Sequence, residues 1–357
     1  MVGAPSLGPE LGVGQGIFLF ATVLALPLAM SKLAEPWIHA WSDTVDTRRL
    51  LRASLLGSGG CLTLAAFAPS AVALSGCLGA WSLCTGVACG LAQAGLVRCH
   101  TSPERALTRW AIATSLGDIA APLFVVTLSA LGFSWRAALV AAALPSFAIS
   151  LVTWNAPIAR PPEDHDQNMP PTEVRSVLFA RPRLWAWLAA TAACALLDEI
   201  LLMLAALRLE PNSASFAAQL GALVVGDAVG LFLMERRLDR ISTPHTLTVS
   251  AALSAGCLAA WVATDDPRLG ALFLFGLGAS AAVQWPLAKA SAFACVPERP
   301  GLINALESAL DVADIIAPLA LGMVLSAWGV EAAILTLLLQ PLTVGTVALL
   351  FGREPIS

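Results

Sequence analysis

Seven carboxylates and one lysine stand inside or at the edge of runs of apolar residues, where charge is least expected. Asp118, Asp198, Glu199, Asp227, Glu307, Asp311 and Asp314 lie within such runs, and Lys32, one of two lysines in the chain, closes another. Glu307, Asp311 and Asp314 are spaced i, i+4 and i+7. On a continuous helix, at about 100° per residue, they fall within roughly 60° of one face. An isolated charge in hydrocarbon is expensive, so such groups must face a protein interior, pair with each other or share protons. Neighbouring carboxylates resist ionising together, and a set of them can therefore carry a proton. The chemistry on offer is reversible proton uptake and ion pairing. Other chemistries lack their material. Cys61, Cys77, Cys84, Cys89, Cys99, Cys194, Cys257 and Cys295 lie in or beside apolar runs with no zinc spacing. No phosphate-binding glycine loop is present. No cofactor and no metal site is expected.

The elements that position these residues follow from composition. Of 357 residues, 57% are hydrophobic and 12% charged, about half the charge of a soluble domain. So little charge excludes a cytosolic enzyme and a disordered chain, and a net charge of −4 gives no footprint for nucleic acid. The chain reads as an all-α polytopic membrane protein, embedded in the lipid bilayer. A spanning helix takes about 20 apolar residues. Charges and turn residues cut out eleven such runs: 12–34, 50–72, 74–97, 106–131, 135–157, 184–207, 212–234, 245–264, 269–289, 301–327 and 331–352. The segment 158–183, rich in proline and charge, reads as a cytoplasmic linker between an N-terminal bundle, 1–157, with five spans and a C-terminal bundle, 184–357, with six.

Lys and Arg gather in the loops 36–52, 98–109, 158–183, 235–244, 290–300 and at the C-terminus, leaving Arg136, Arg208 and Arg268 in the alternate loops. The basic set is expected to be cytoplasmic, in the inner membrane of a cell, with the C-terminus inside. Trp37, Trp110, Trp135, Trp154, Trp185, Trp261 and Trp328 flank the spans as an interfacial belt would.

A shift of 196 residues lays one half of the chain on the other. Asp43 falls on Asp239; Ser54, Ser58, Gly60 and Cys61 fall on Ser250, Ser254, Gly256 and Cys257; Asp118 and Pro122 fall on Asp314 and Pro318. Parallel duplication of this kind is a transporter plan. The shift places the image of span 184–207 mostly before Met1, so a first helix is expected to be missing through a truncated start, the alternative being a chain of eleven helices.

The loop after the first run reads Glu35-Pro36-Trp37-Ile38-His39-Ala40-Trp41-Ser42-Asp43-Thr44-Val45-Asp46-Thr47-Arg48-Arg49, and its second-half echo reads Glu235-Arg236-Arg237-Leu238-Asp239-Arg240. With the repeat, the linker and the turn Gly132-Phe133-Ser134-Trp135-Arg136, this resembles the major facilitator superfamily, whose pattern G-x-x-x-D-R-x-G-R-R is matched at Asp43, Arg48 and Arg49. The resemblance covers essentially the whole chain. It implies a two-bundle fold and a proton-coupled secondary transporter working by alternating access, taking a small-molecule substrate and H+, as a monomer and not an enzyme. It makes Asp43, Asp46, Arg48, Arg49, Asp239 and Arg240 a conformational-switch motif. It brings Lys32 towards Glu307 and Asp118 towards Asp227, and makes the seven acids and Lys32 candidates for coupling or substrate binding. The antiporter signature is poorly kept in Gly117-Asp118-Ile119-Ala120-Ala121-Pro122, and span 74–97 has no arginine. Two alternatives stay open: a non-transporting sensor or inactive truncated transporter, and an intramembrane aspartyl protease built on Gly117-Asp118 and Gly226-Asp227. The protease reading is weakened by Ser115, Val224 and the absence of tyrosine.

Overall fold

Backbone polar groups in a chain this apolar have no water to turn to, and helices satisfy them within each segment. The structure, a computed structural model, describes residues 26–42, 45–153, 181–197, 199–209, 214–297, 299–311 and 313–352. Among them the regular elements are helical. The first half gives α1 (Leu26–Ser42), α2 (Thr47–Ala66), α3 (Ala71–Cys99), α4 (Pro103–Ala130) and α5 (Trp135–Val152). The second gives α6 (Pro182–Ala193), a 3-10 turn at Cys194–Leu197, α7 (Glu199–Arg208), α8 (Ala214–Arg237), a 3-10 turn at Leu238–Arg240 and α9 (Thr243–Val262). It continues with α10 (Pro267–Ala281), α11 (Gln284–Cys295), α12 (Pro300–Leu310), α13 (Ala313–Thr336) and α14 (Leu339–Phe351). Among the described residues eight stretches are long and apolar enough to cross a membrane, and the chain is an integral membrane protein.

The duplication is visible in the helix ends. At the shift of 196, α2 coincides with α9, and α3 coincides with the α10–α11 span from Pro267 to Cys295. The paired serines Ser58 and Ser254 each bond a hydroxyl on the next helix, at places one residue apart in the repeat. Ser58 and Thr85 hydroxyls lie 3.0 Å apart between α2 and α3, and Ser254 donates to Ser280 at 2.8 Å between α9 and α10. Both α2 and α9 end in carbonyls capped by an arginine. Arg136 donates to Ala66 O at 2.6 Å and Ala68 O at 3.4 Å. Arg208 donates to Trp261 O at 2.7 Å, Val262 O at 2.9 Å and Thr264 O at 3.1 Å. Val262 and Thr264 are the images of Ala66 and Ala68, yet Arg136 comes from the start of α5 and Arg208 from the end of α7. Each guanidinium also stacks on an indole, Arg136 on Trp135 and Arg208 on Trp261. Two of the three arginines that broke the loop charge pattern thus serve as helix caps.

Several expectations are corrected. Helix α1 runs on through Ser42 and α2 begins at Thr47, so most of the expected loop 36–52 is helical; α1 need not stop, because Glu35 and His39 are buried against α3 rather than solvated. Pro36 lies inside it and cannot donate to the Lys32 carbonyl. Span 184–207 is not one helix: it passes through a 3-10 turn, and α7 begins anew at Glu199. Span 269–289 breaks between Ala281 and Gln284, where Pro286 has no N–H to offer Ala282 O, and resumes as far as Cys295. The span 301–327 ends its first helix at Leu310 and starts again at Ala313. Trp261 is no interfacial residue: it is 1% exposed and its Nε1 donates to Gln219 at 2.9 Å.

The chain packs as two compact units. One comprises Met1–Cys99, Asp118–Gln167 and Arg299–Ile315; the other comprises His100–Gly117, Asn168–Glu298 and Ile316–Ser357. Each unit thus takes in a segment from the opposite half of the repeat. In the first, α2 packs on α3 and α5, α1 on α3, and α12 on α1. In the second, α8 packs on α10, α9 on α10 and α14, and α6 on α11 and α14, around a core that includes Leu201, Leu204, Leu258, Leu274, Leu277 and Ile334.

Candidate functional site

Helix α1 sits on α3 in a register that advances in step: Met30 on Gly79, Glu35 on Gly86, His39 on Gly90. The two helices therefore run parallel. A Cβ on Gly86 would overlap the Glu35 carboxyl, and one on Gly90 would overlap the His39 ring. Only glycine admits these polar side chains between the helices. On the other flank of α1 lies α12, running the opposite way. Its Asn304 donates Nδ2 to Gly90 O at 2.7 Å, and Asp311, which ends it, accepts from Lys32 Nζ at 2.6 Å. Lys32 Nζ also lies 3.9 Å from Glu35 Oε2, and the Ser31 hydroxyl donates to Glu35 Oε1. One ammonium is shared between two carboxylates, with the lysine side chain 17% and the Asp311 side chain 21% exposed.

The second unit holds the image of this contact. The first part of α4 faces α8 in antiparallel order: Arg105 with Asp239 at 2.7 Å, Arg109 with Glu235 at 3.0 Å, and the Ser115 hydroxyl donating to Asp227 Oδ2 at 2.6 Å. Ser115 and Asp311 occupy the same place in the repeat, and Asp227 is the image of Ser31, beside Lys32. The acid sits on α12 in one contact and on α8 in the other.

The remaining expected residues are distributed as follows. Glu307 and Asp311 share the register of α12, where the Asp311 N–H bonds Glu307 O at 2.9 Å, and Asp314 belongs to α13. The side chains of Asp314 and Glu199 lie outside the described residues, as do Asp198 and Asp43. Asp118 is exposed on α4, three residues past the serine that reaches Asp227. Asp46 caps α2, accepting from the N–H groups of Arg48 and Arg49. Arg49 pairs with Asp46 at 3.4 Å on the surface. Asp239 accepts from Arg105, and Arg240 is exposed in the 3-10 turn after α8.

Sequence reasoning missed three buried ionisable residues. Glu35 is 4%, His39 2% and Lys289 4% exposed. Lys289 packs its ammonium 5.0 Å from the centroid of Trp285 and 5.8 Å from that of Phe293. A signal existed for the first two: Ser31, Glu35 and His39 are spaced by four, as are Gly86 and Gly90. Among the described residues no three of His, Cys, Asp or Glu converge as metal ligands would.

Helix order and packing match solved transporters along nearly the whole chain. A structure of the proton:xylose symporter XylE, bound to 6-bromo-6-deoxy-D-glucose, superposes with a TM-score of 0.81 at 11% identity, covering 98% of this chain and 90% of that one. The E. coli fucose:proton symporter FucP gives 0.75 at 14%, covering 99% and 95%. The human organic anion transporter MFSD10 (TETRAN) gives 0.67 at 16%, covering 97% and 88%. The fold is that of the major facilitator superfamily. No family model matches the sequence, and no curated protein matches it; the likeness lies in the fold. Within this facilitator fold, α1 with α12 and α4 with α8 are contacts that tie a first-half helix to a second-half helix, and each carries a carboxylate.

Proposed function

We propose that the chain is a secondary transporter that moves a small solute by alternating access and is coupled to protons through Asp311. The carrying observation is the ion pair between Lys32 of α1 and Asp311 of α12, which joins the two halves of the repeat. A protonated Asp311 loses the charge that holds Lys32, so one proton changes the strength of a link between the halves. Movement of one repeat against the other is how a facilitator fold exposes a solute to alternate sides. The Arg105–Asp239 and Arg109–Glu235 pairs, at the ends of α4 and α8, serve as conformational latches in this reading. Asp227, held by Ser115, is the second protonatable candidate. Glu307 lies one turn before Asp311, and Asp314 at the start of α13 and Asp118 on α4 extend the acidic set. The solute is a neutral or cationic small molecule, favoured by the excess of acids. The basic loops favour a C-terminus on the cytoplasmic side of an inner membrane, and the protein acts as a monomer in this reading.

The test uses the protein in proteoliposomes with a pH dye trapped inside and a panel of neutral sugars and organic cations outside. Solute-dependent proton movement is expected for the wild type. Asp311→Asn is expected to fold, to retain solute exchange and to lose accumulation driven by the pH gradient. An Asp311→Asn protein that still concentrates solute against its gradient defeats the assignment.

A further inference from the structure

We propose that Glu35 and His39 form a buried proton relay that loads the Lys32–Asp311 pair from the end of α1 at Ser42; the inference rests on the coupling role proposed for Asp311 and adds the route its proton takes. Ser31, Glu35 and His39 follow one another at intervals of four along one stripe of α1. Glu35 is 4% and His39 2% exposed, and an acid and an imidazole buried this deeply in an apolar chain are costly to keep. Helix α3 makes the room for both, since a Cβ on Gly86 or Gly90 would occupy the carboxyl or the ring. A second observation comes from α12. Asn304 is 2% exposed, its Nδ2 is fixed on Gly90 O, and its Oδ1 has no hydrogen-bond partner among the described residues. A buried acceptor left open at the glycine that carries the His39 ring suits a water or a ring N–H.

The ionisable groups that bear on the site are Lys32, Glu35 and His39 of α1 and Glu307 and Asp311 of α12. Helix α3 has no charged residue from Ala71 to Val97. The step is a pair of proton transfers. The His39 imidazolium gives its proton to the Glu35 carboxylate, and Glu35 gives it on to the Asp311 carboxylate, while His39 is reprotonated from water. Lys32 stays protonated throughout and leans to whichever carboxylate is charged. Its ammonium is already placed for this, 2.6 Å from Asp311 and 3.9 Å from Glu35.

The full chain in lipid nanodiscs, with no solute, is tested by time-resolved infrared spectroscopy after photochemical release of protons. The carboxyl bands are assigned by their loss in Glu35→Gln and Asp311→Asn. In His39→Gln the rate at which both bands respond is expected to fall by about tenfold or more, with the final amplitude kept, and added imidazole is expected to restore the rate. An unchanged rate in His39→Gln, or a slow rate that imidazole leaves slow, overturns the relay. Isotope-labelled glutamate in the wild type assigns the Glu35 band by comparison with the His39 variant even if Glu35→Gln does not fold. A Glu35 band that responds at a His39-dependent rate, with no Asp311 band, keeps the His39-to-Glu35 step, overturns the onward transfer and removes the coupling role from Asp311.

Discussion

Helices α8 and α10 meet backbone to backbone. A Cβ on Gly226 would overlap Phe275 O, one on Gly230 would overlap Ala279 O, and one on Gly278 would overlap Leu223 O. Their repeat images, α1 and α3, also meet through glycines, but there Gly86 and Gly90 receive the Glu35 carboxyl and the His39 imidazole. The helix pairing is common to both; the filling is not, and Gly86 and Gly90 lie further along, at the images of Ala282 and Pro286. In the second half the space is closed by main chain, which can neither move nor titrate. In the first half it is closed by side chains that can do both. The difference teaches that a duplicated crossing sets how close two helices come and leaves open whether the contact is a strut or a working part.

The largest effect expected from this contrast is on stability. Gly226→Val puts side-chain carbons into the Phe275 carbonyl, and only separation of α8 from α10 relieves them; a loss of about 3 kcal/mol or more is expected, seen as a large fall in the melting temperature in detergent. Wild-type melting would break the comparison. Next come the caps. Each variant loses one stacked indole; Arg208→Ala also removes three carbonyl bonds and is expected to cost about 2 kcal/mol, against about 1 kcal/mol for Arg136→Ala with its two bonds, as read from chemical unfolding of each variant. Equal losses would show that the two halves lean on their caps alike. The smallest loss is expected at Gly86→Ala, about 1 kcal/mol, because the Glu35 carboxyl it displaces is the end of a flexible side chain. Its mark should appear instead in proton uptake, with the Glu35 infrared band shifted. A Gly86→Ala protein as unstable as Gly226→Val would make both crossings struts.

Much of the architecture was legible in the sequence. The shift of 196 predicts the ends of α9 from those of α2, and the paired serines Ser58 and Ser254 sit where these helices cross their neighbours. The partner of Lys32 was found to within one helical turn: the resemblance points to Glu307 and the structure uses Asp311. What stayed hidden has two causes. Glu35, Pro36 and His39 look like a solvated loop because polarity in sequence does not reveal that α3 offers two glycines to bury it. Lys289 looks like the edge of an apolar run because Pro286 hides the continuation of the span into α11. The 3-10 turn at Cys194–Leu197 and the end of α12 at Leu310 are equally silent. α4 has the same proline frame as α12 and α13, with Asp118 and Pro122 at the images of Asp314 and Pro318, and runs unbroken.

The two capping arginines also fix an order of events during synthesis. A ribosome delivers the chain from its N-terminus, and segments organise as they emerge. The carbonyls that Arg136 caps, those of Ala66 and Ala68, are made before it, so the first cap can close as soon as α5 arrives. Those that Arg208 caps, of Trp261, Val262 and Thr264, are made after it. Arg208 therefore enters the membrane region ahead of its acceptors and must be hydrated or held by lipid headgroups until α9 is in place. The nascent second half passes through an interval in which its cap is open, as the first half's cap never is, and that interval is where an insertion factor would have most to do.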